Sequence, residues 1–320
     1  MRRWIAPALV TGLLLAACTP TSVPSVSASA RTSATPSATA PAGPVTMAPS
    51  GTLTPGFRLA DLPRIDGSTA NIPLISLVIQ RLTGVSKAEA DNAVATSGTS
   101  AAYQALVDGT ADLLVVYEAD EGTKAVIKES RIALEAHAIG RDALVFFTNS
   151  SNPLTSLTTK QYRDIYTGKV TRWSQVGGAE ARIVAYQRPE DSGSQALLRK
   201  YVVGKAKLAK APSEQVSGDM GEIIDKVSSY ANTGNALGYS VYYYLANMYA
   251  VEGIKMLGVG GVQPSKDTLA DGSYPYTNDF FVVIRADAPA DSPARKVLAW
   301  LLSDAGRQVV VDAGYVPAPR

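Results

Sequence analysis

Three short stretches of this 320-residue chain bring hydroxyl side chains to the point where a helix would begin, and one of them adds an arginine. In Arg188-Pro189-Glu190-Asp191-Ser192-Gly193-Ser194 a guanidinium suited to bidentate contact stands beside two hydroxyl donors and a glycine that lets the backbone approach a ligand closely. The other two stretches are Gly67-Ser68-Thr69 and Thr96-Ser97-Gly98-Thr99-Ser100. A helix N-terminus carries unpaired N–H groups and roughly half a positive charge, so it attracts oxyanions without a formal cation. One such loop alone is an ordinary cap, because Ser and Thr are common N-caps. Three of them, one with an arginine, indicate an oxyanion site in a cleft where they converge.

The elements that would position these loops alternate along the chain. Arg64 to Thr69 reads as a strand and polar loop leading into a helix over Ile72–Leu82, with Pro73 suited to a first helical turn. The order returns with a helix through Tyr103, Leu106 and Val107 and the strand Ala111–Val116, and again after Ala185-Tyr186, with a helix through Leu197, Leu198 and Tyr201. Short apolar runs alternating with helical patterns predict an α/β fold. Thr158 and Gln161 match a capping box, read as structural.

The N-terminus reads as an export signal. Arg2 and Arg3 precede an apolar run from Ile5 to Ala17 that is too short for a membrane span and ends at Cys18, the chain's only cysteine. Leu15-Ala16-Ala17-Cys18 resembles a lipobox, so residues 1–18 are expected to be a lipoprotein signal peptide and Cys18 the lipidated residue. Residues 19–54, rich in Ser, Thr, Ala and Pro, read as a disordered tether. The expected location is the outer face of a bacterial cell membrane. With no second cysteine, intrachain disulfides and zinc–thiolate sites are excluded. Thirty Lys and Arg against 28 Asp and Glu give a net charge of +2, which argues against a nucleic-acid partner.

From residue 60 to 320 the chain resembles the phosphate-binding proteins of bacterial phosphate ABC transporters, a branch of the type II periplasmic binding proteins. The resemblance is carried by Gly67–Ala70, Gly98–Ser100, Asp142–Asn149 followed by Asn152–Leu154, Ile165–Gly178, Arg188–Ser194, Asn235–Tyr239 and Tyr274–Thr277, and by the closing stretch Leu301–Pro317. It implies two α/β lobes with a ligand cleft between them, lobe 1 being 55–140 with 276–320 and lobe 2 being 141–275, joined by crossings near 139–144 and 276–282. It also implies binding of phosphate or a related oxyanion, permease subunits as partners, and hinge closure over the ligand without any bond made or broken. Thr69 and the Ala70 amide, then Thr99, then Arg188, Ser192, the Gly193 amide and Ser194 would hold the ligand.

Where the family has an aspartate that accepts a proton from the ligand, this chain has Tyr117-Glu118. Either Glu118 takes that role, or it faces solvent while Tyr117 lines the cleft. Ser192 has no histidine partner and His137, the only histidine, reads as structural, so neither an enzyme nor a metal or cofactor site is expected. Tyr239, Tyr242, Tyr243, Tyr244 and Tyr249 read as packing, and Trp173 as core. A surface sensor or adhesion protein on the same scaffold is the alternative to import. Cys18→Ser is expected to release the protein from membranes into the soluble fraction on centrifugation; continued sedimentation with membranes would overturn the lipidation reading.

Overall fold

The computed structural model describes residues 56–229 and 234–319. The signal peptide, Cys18 and the tether expected at 1–54 lie outside them. Among the described residues nine strands form one sheet: β1 (Ile65–Gly67), β2 (Leu113–Val116), β3 (Leu134–Asn149), β4 (Ser156–Leu157), β5 (Val184–Ala185), β6 (Ala236–Val241), β7 (Ile254–Val259), β8 (Thr277–Arg285) and β9 (Val316–Pro317). Their main order is β1-β2-β8-β3-β6-β5, with β7 and β9 also paired to β3 and β4 paired to β7. β1 runs parallel to β2 and β5 parallel to β6, while β8 and β3 are antiparallel to each other.

The apolar run of β2 follows from burial on both faces. Leu113 and Val115 pack into one core cluster and Leu114 and Val116 into another, so an alternating apolar-polar pattern would have left one cluster incomplete. The helix Ile72–Thr83 covers the first cluster with Leu74, Ile75, Val78, Ile79 and Leu82, all buried on one face. Pro73 sits in its first turn as expected, and Gly84 closes it in the left-handed conformation (φ 75°), donating its N–H to Gln80.

β3 is 16 residues long and joins the two α/β halves. From Leu134 to Ala143 it pairs with β8, and from Leu144 to Asn149 with β6 and β7. The expected crossings therefore fall on two antiparallel strands lying side by side. At the bulge on β3, a Cβ on Gly140 would stand 2.2 Å from the Phe280 ring, so this position excludes any side chain.

The core of the second half is aromatic. Phe146 of β3 stacks on Tyr162 at 3.9 Å between ring centroids and contacts Tyr166, Tyr239 and Tyr276. Tyr162 and Tyr166 belong to the helix Thr159–Tyr166, which opens with the Thr158–Gln161 capping box. Trp173 is core, 1% exposed, with its indole N–H donated to the Asn235 carbonyl. Among the described residues no helix is long and apolar enough to cross a membrane. Phe146→Ala should lower unfolding stability by about 3–5 kcal/mol in urea denaturation, since one truncation breaks four ring contacts.

Candidate functional site

The three helix-opening loops meet in a cavity of about 710 Å³. One wall comes from the β1 loop (Ser68, Thr69, Ala70), the Gly98-Thr99 turn that opens the helix Thr99–Val107, and Tyr117 just past β2. The facing wall is Arg188 with Ser192, Gly193 and Ser194, where the helix Gly193–Leu198 begins before running on as a π-helical segment to Val203. Seven expected positions, Thr69, Ala70, Thr99, Arg188, Ser192, Gly193 and Ser194, thus line one cavity.

On the first wall the Ser68 and Thr99 hydroxyls are 2.7 Å apart, and Ser68 Oγ accepts a long bond from the Tyr117 N–H at 3.4 Å. On the second, Ser192 caps its helix by accepting from the Gln195 N–H at 3.2 Å, which leaves its own O–H free to donate elsewhere. Ser194 is 5% exposed and its hydroxyl has no partner among the described residues. The walls approach closely at Gly193, where a Cβ would lie 2.8 Å from Thr99 Oγ1.

Arg188 supplies the charge. Its backbone N–H donates to the Tyr239 hydroxyl at 2.8 Å and one guanidinium nitrogen, Nη2, to the Gly218 carbonyl at 3.1 Å, whereas Nε and Nη1 are buried without a partner among the described residues. Burial draws its pKa down from the ordinary value, against the pull of Tyr239 and Asp219; an arginine still stays protonated. A half-buried cation with two unpaired nitrogens is costly unless an anion completes it.

Glu118 does not face this cavity. Its carboxylate is bound by the ammonium groups of Lys124, at 3.0 Å, and Lys200. Burial works against its ionisation, but the bonds from Lys200 and Lys124 outweigh it and hold the pKa below the usual range. Of the two readings of Tyr117-Glu118, the structure takes the one in which Tyr117 lines the cleft, while Glu118 is engaged in ion pairs rather than in free solvent. The Tyr117 hydroxyl is also committed elsewhere, donating at 2.6 Å to Asp142 of β3. The carboxylates on the cavity wall are instead Asp191, Asp219, Glu222 and Asp225.

Sequence reasoning names Asp191, with Glu190, as a brace for Arg188 but misses the rest of this rim; Glu190 pairs instead with Arg199 at 2.6 Å, while Asp219 and Glu222 carry the N-cap and third-position pattern of a helix start, Asp219 accepting from the Glu222 N–H at 2.7 Å. The packing account of the tyrosines is also incomplete. Tyr239 is buried but orients Arg188, and Tyr244 and Tyr249 line the cavity. His137 is bonded at Nε2 to Glu135, 2.8 Å away on the same strand.

Asp142 is fully buried, with no cation among its partners; it accepts from Tyr117, from the Ala143 N–H at 2.8 Å and from the Tyr243 N–H at 3.0 Å. Burial, only partly offset by these bonds, raises its pKa to about 6. The native state therefore holds this proton more tightly than the unfolded chain, whose carboxyl titrates near ~3.9. The contribution to stability is complete below that lower pKa and is lost as pH rises through about 6, an effect of up to about 3 kcal/mol. Asp142→Asn should flatten the dependence of denaturation midpoint on pH between about 4 and 6; an unchanged slope would mean another group titrates there.

A family model described as a PBP superfamily domain matches residues 27–305. The chain is 26% identical over 262 residues to the phosphate-binding protein PstS of Bacillus subtilis, covering 79% of each chain. It is 25% identical over 240 residues to the protein of that name from Pseudomonas aeruginosa, covering 70% of this chain and 73% of that one. Among solved structures, an ABC-type phosphate transport receptor from Vibrio cholerae superposes with a TM-score of 0.61 at 22% identity, covering 80% of this chain and all of that one. A phosphate-binding protein from Stenotrophomonas maltophilia gives 0.58 at 13% identity, covering 81% and 91%.

Proposed function

Because this chain belongs to the PBP superfamily, we propose that it is the extracytoplasmic solute-binding component of an ABC importer, anchored by lipid at Cys18, that binds phosphate or a closely related oxyanion and delivers it to a membrane permease. In this reading Thr69, the Ala70 amide and Thr99 hold the ligand from one lobe (55–140 with 276–320), and Arg188, Ser192, the Gly193 amide and Ser194 from the other (141–275). The observation that carries it is the pair of unpartnered guanidinium nitrogens of Arg188, set in one cavity with the unpartnered hydroxyl of Ser194. Buried donors of this kind are rare in native proteins unless something else completes them. The relatives named above are phosphate binders, which favours phosphate within the oxyanion class.

The site binds and releases without chemistry. Charge-assisted bonds from Arg188 supply attraction, neutral N–H and O–H donors fix orientation, and closure of the two lobes excludes water. A monoprotonated phosphate has an O–H to donate where fully ionised sulfate has none. Asp191 and Asp219 are the cavity carboxylates whose charge Arg188 feels, and a carboxylate facing the ligand favours the protonated anion.

Calorimetric titration of the protein with phosphate, arsenate and sulfate is expected to show phosphate and arsenate binding ahead of sulfate. Arg188→Ala should weaken phosphate binding by about a hundredfold or more, the loss of two charge-assisted bonds, with the thermal midpoint of the unliganded protein within a few degrees of wild type. Unchanged affinity in that variant would overturn the site.

A further inference from the structure

The two walls of the cavity are tied together by residues that stand next to its lining. Ser100 follows Thr99, and its hydroxyl lies 2.9 Å from the carbonyl of Asp191, the residue before Ser192, and 2.6 Å from the Asp120 carboxylate. Glu118 follows Tyr117 and is bound by Lys200, which sits on the helical segment whose first turn carries Gly193 and Ser194. We propose that Glu118 and Lys200 are positioning residues for anion binding, whose ion pair bridges the cleft and holds its two walls together without touching the ligand. The proposal rests on the reading of the cavity as an oxyanion site.

The arrangement of charges supports a bridge over a purely local pair. Glu118 has a second cation, Lys124 at 3.0 Å, from its own side of the cleft, shared with Glu121 at 3.0 Å, so Glu118 keeps a cationic partner whether or not the walls are closed. Lys200 is its contact across the cleft. Opening would therefore strand no buried charge, which is what a reversible contact requires. Both side chains are partly exposed, 39% and 47%, on a second crevice that Asp191 shares with the anion cavity, so the attraction is open to screening by salt. A pair of this kind biases an equilibrium by a small factor and does not lock it.

The test compares wild type, Lys200→Met, Glu118→Gln and the double variant by titration with inorganic phosphate at low salt and at about 1 M sodium chloride. Each single variant is expected to weaken binding about two- to fivefold at low salt, the double variant no more than either single, and the differences to vanish at high salt. Lys200→Arg should retain wild-type affinity. Equal affinities at low salt, or losses that multiply in the double variant, would overturn the bridge. Small-angle scattering without ligand reads it independently: charge reversal in Lys200→Glu should increase the radius of gyration while leaving the circular dichroism unchanged, and an unchanged radius would overturn it. If wild type binds no oxyanion, the reading of the cavity fails, and the scattering comparison still decides the bridge.

Discussion

The cleft is organised around a guanidinium that the fold half-buries and leaves with two nitrogens unpaired. Withdrawing a charge from water costs several kcal/mol even after relaxation, so Arg188 has to be held in place by something stronger than its own preferences. The aromatic core of the second half does this. Tyr239 lies in the fully buried β6, packed edge-on against Phe146 and Tyr166, and its hydroxyl accepts the Arg188 backbone N–H while donating to Gln195. The chain of cause runs from apolar residues on β3 and β6, through a rigid ring, to the direction of one arginine. In the proposed reading the strain of an uncompensated cation is relieved by the ligand, and that relief is a source of affinity that the unliganded contacts alone do not show.

Most of this could be read from the residues, because helix starts, glycine turns and a lone arginine have local signatures. The three loops, the helix at Ile72–Thr83 and the capping box at Thr158 depend on neighbours within a few positions in the chain, whereas the seven individual cavity positions came with the family resemblance. What escaped depends on pairings across it. Nothing near Glu118 announces Lys200, 82 residues away, and nothing near Tyr117 announces Asp142, 25 residues away on the strand that joins the two halves. A charged residue beside a predicted cleft reads as a ligand contact until the fold reveals a closer cation. The packing reading of the tyrosines holds but is incomplete for the same reason, since packing and orienting a polar group call for the same ring and differ only in where the hydroxyl points.

In the proposed reading the two walls also divide the work of recognition. Arg188 stands on the second wall, and with it the only cationic side chain among the described residues that line the cavity. The first wall, from Ser68 to Ala70 with Thr99 and Tyr117, presents neutral hydroxyls, backbone amides and one ring. Long-range attraction falls off slowly with distance, whereas hydrogen bonds to neutral donors demand near-contact geometry. The second wall side also carries Asp191, Asp219, Glu222 and Asp225, so in the proposed reading an anion is held there by contact with the unpaired nitrogens of Arg188 rather than by a net field, and the first wall adds to affinity only on closure. Discrimination between oxyanions of similar charge belongs to that closing step, where donors and acceptors must match. Closure to that distance requires residue 193 to lack a side chain, since a Cβ there would press on Thr99 Oγ1 at 2.8 Å. If the cavity is the oxyanion site proposed above, glycine at this one position is a condition for selectivity, and the arginine five residues before it a condition for capture.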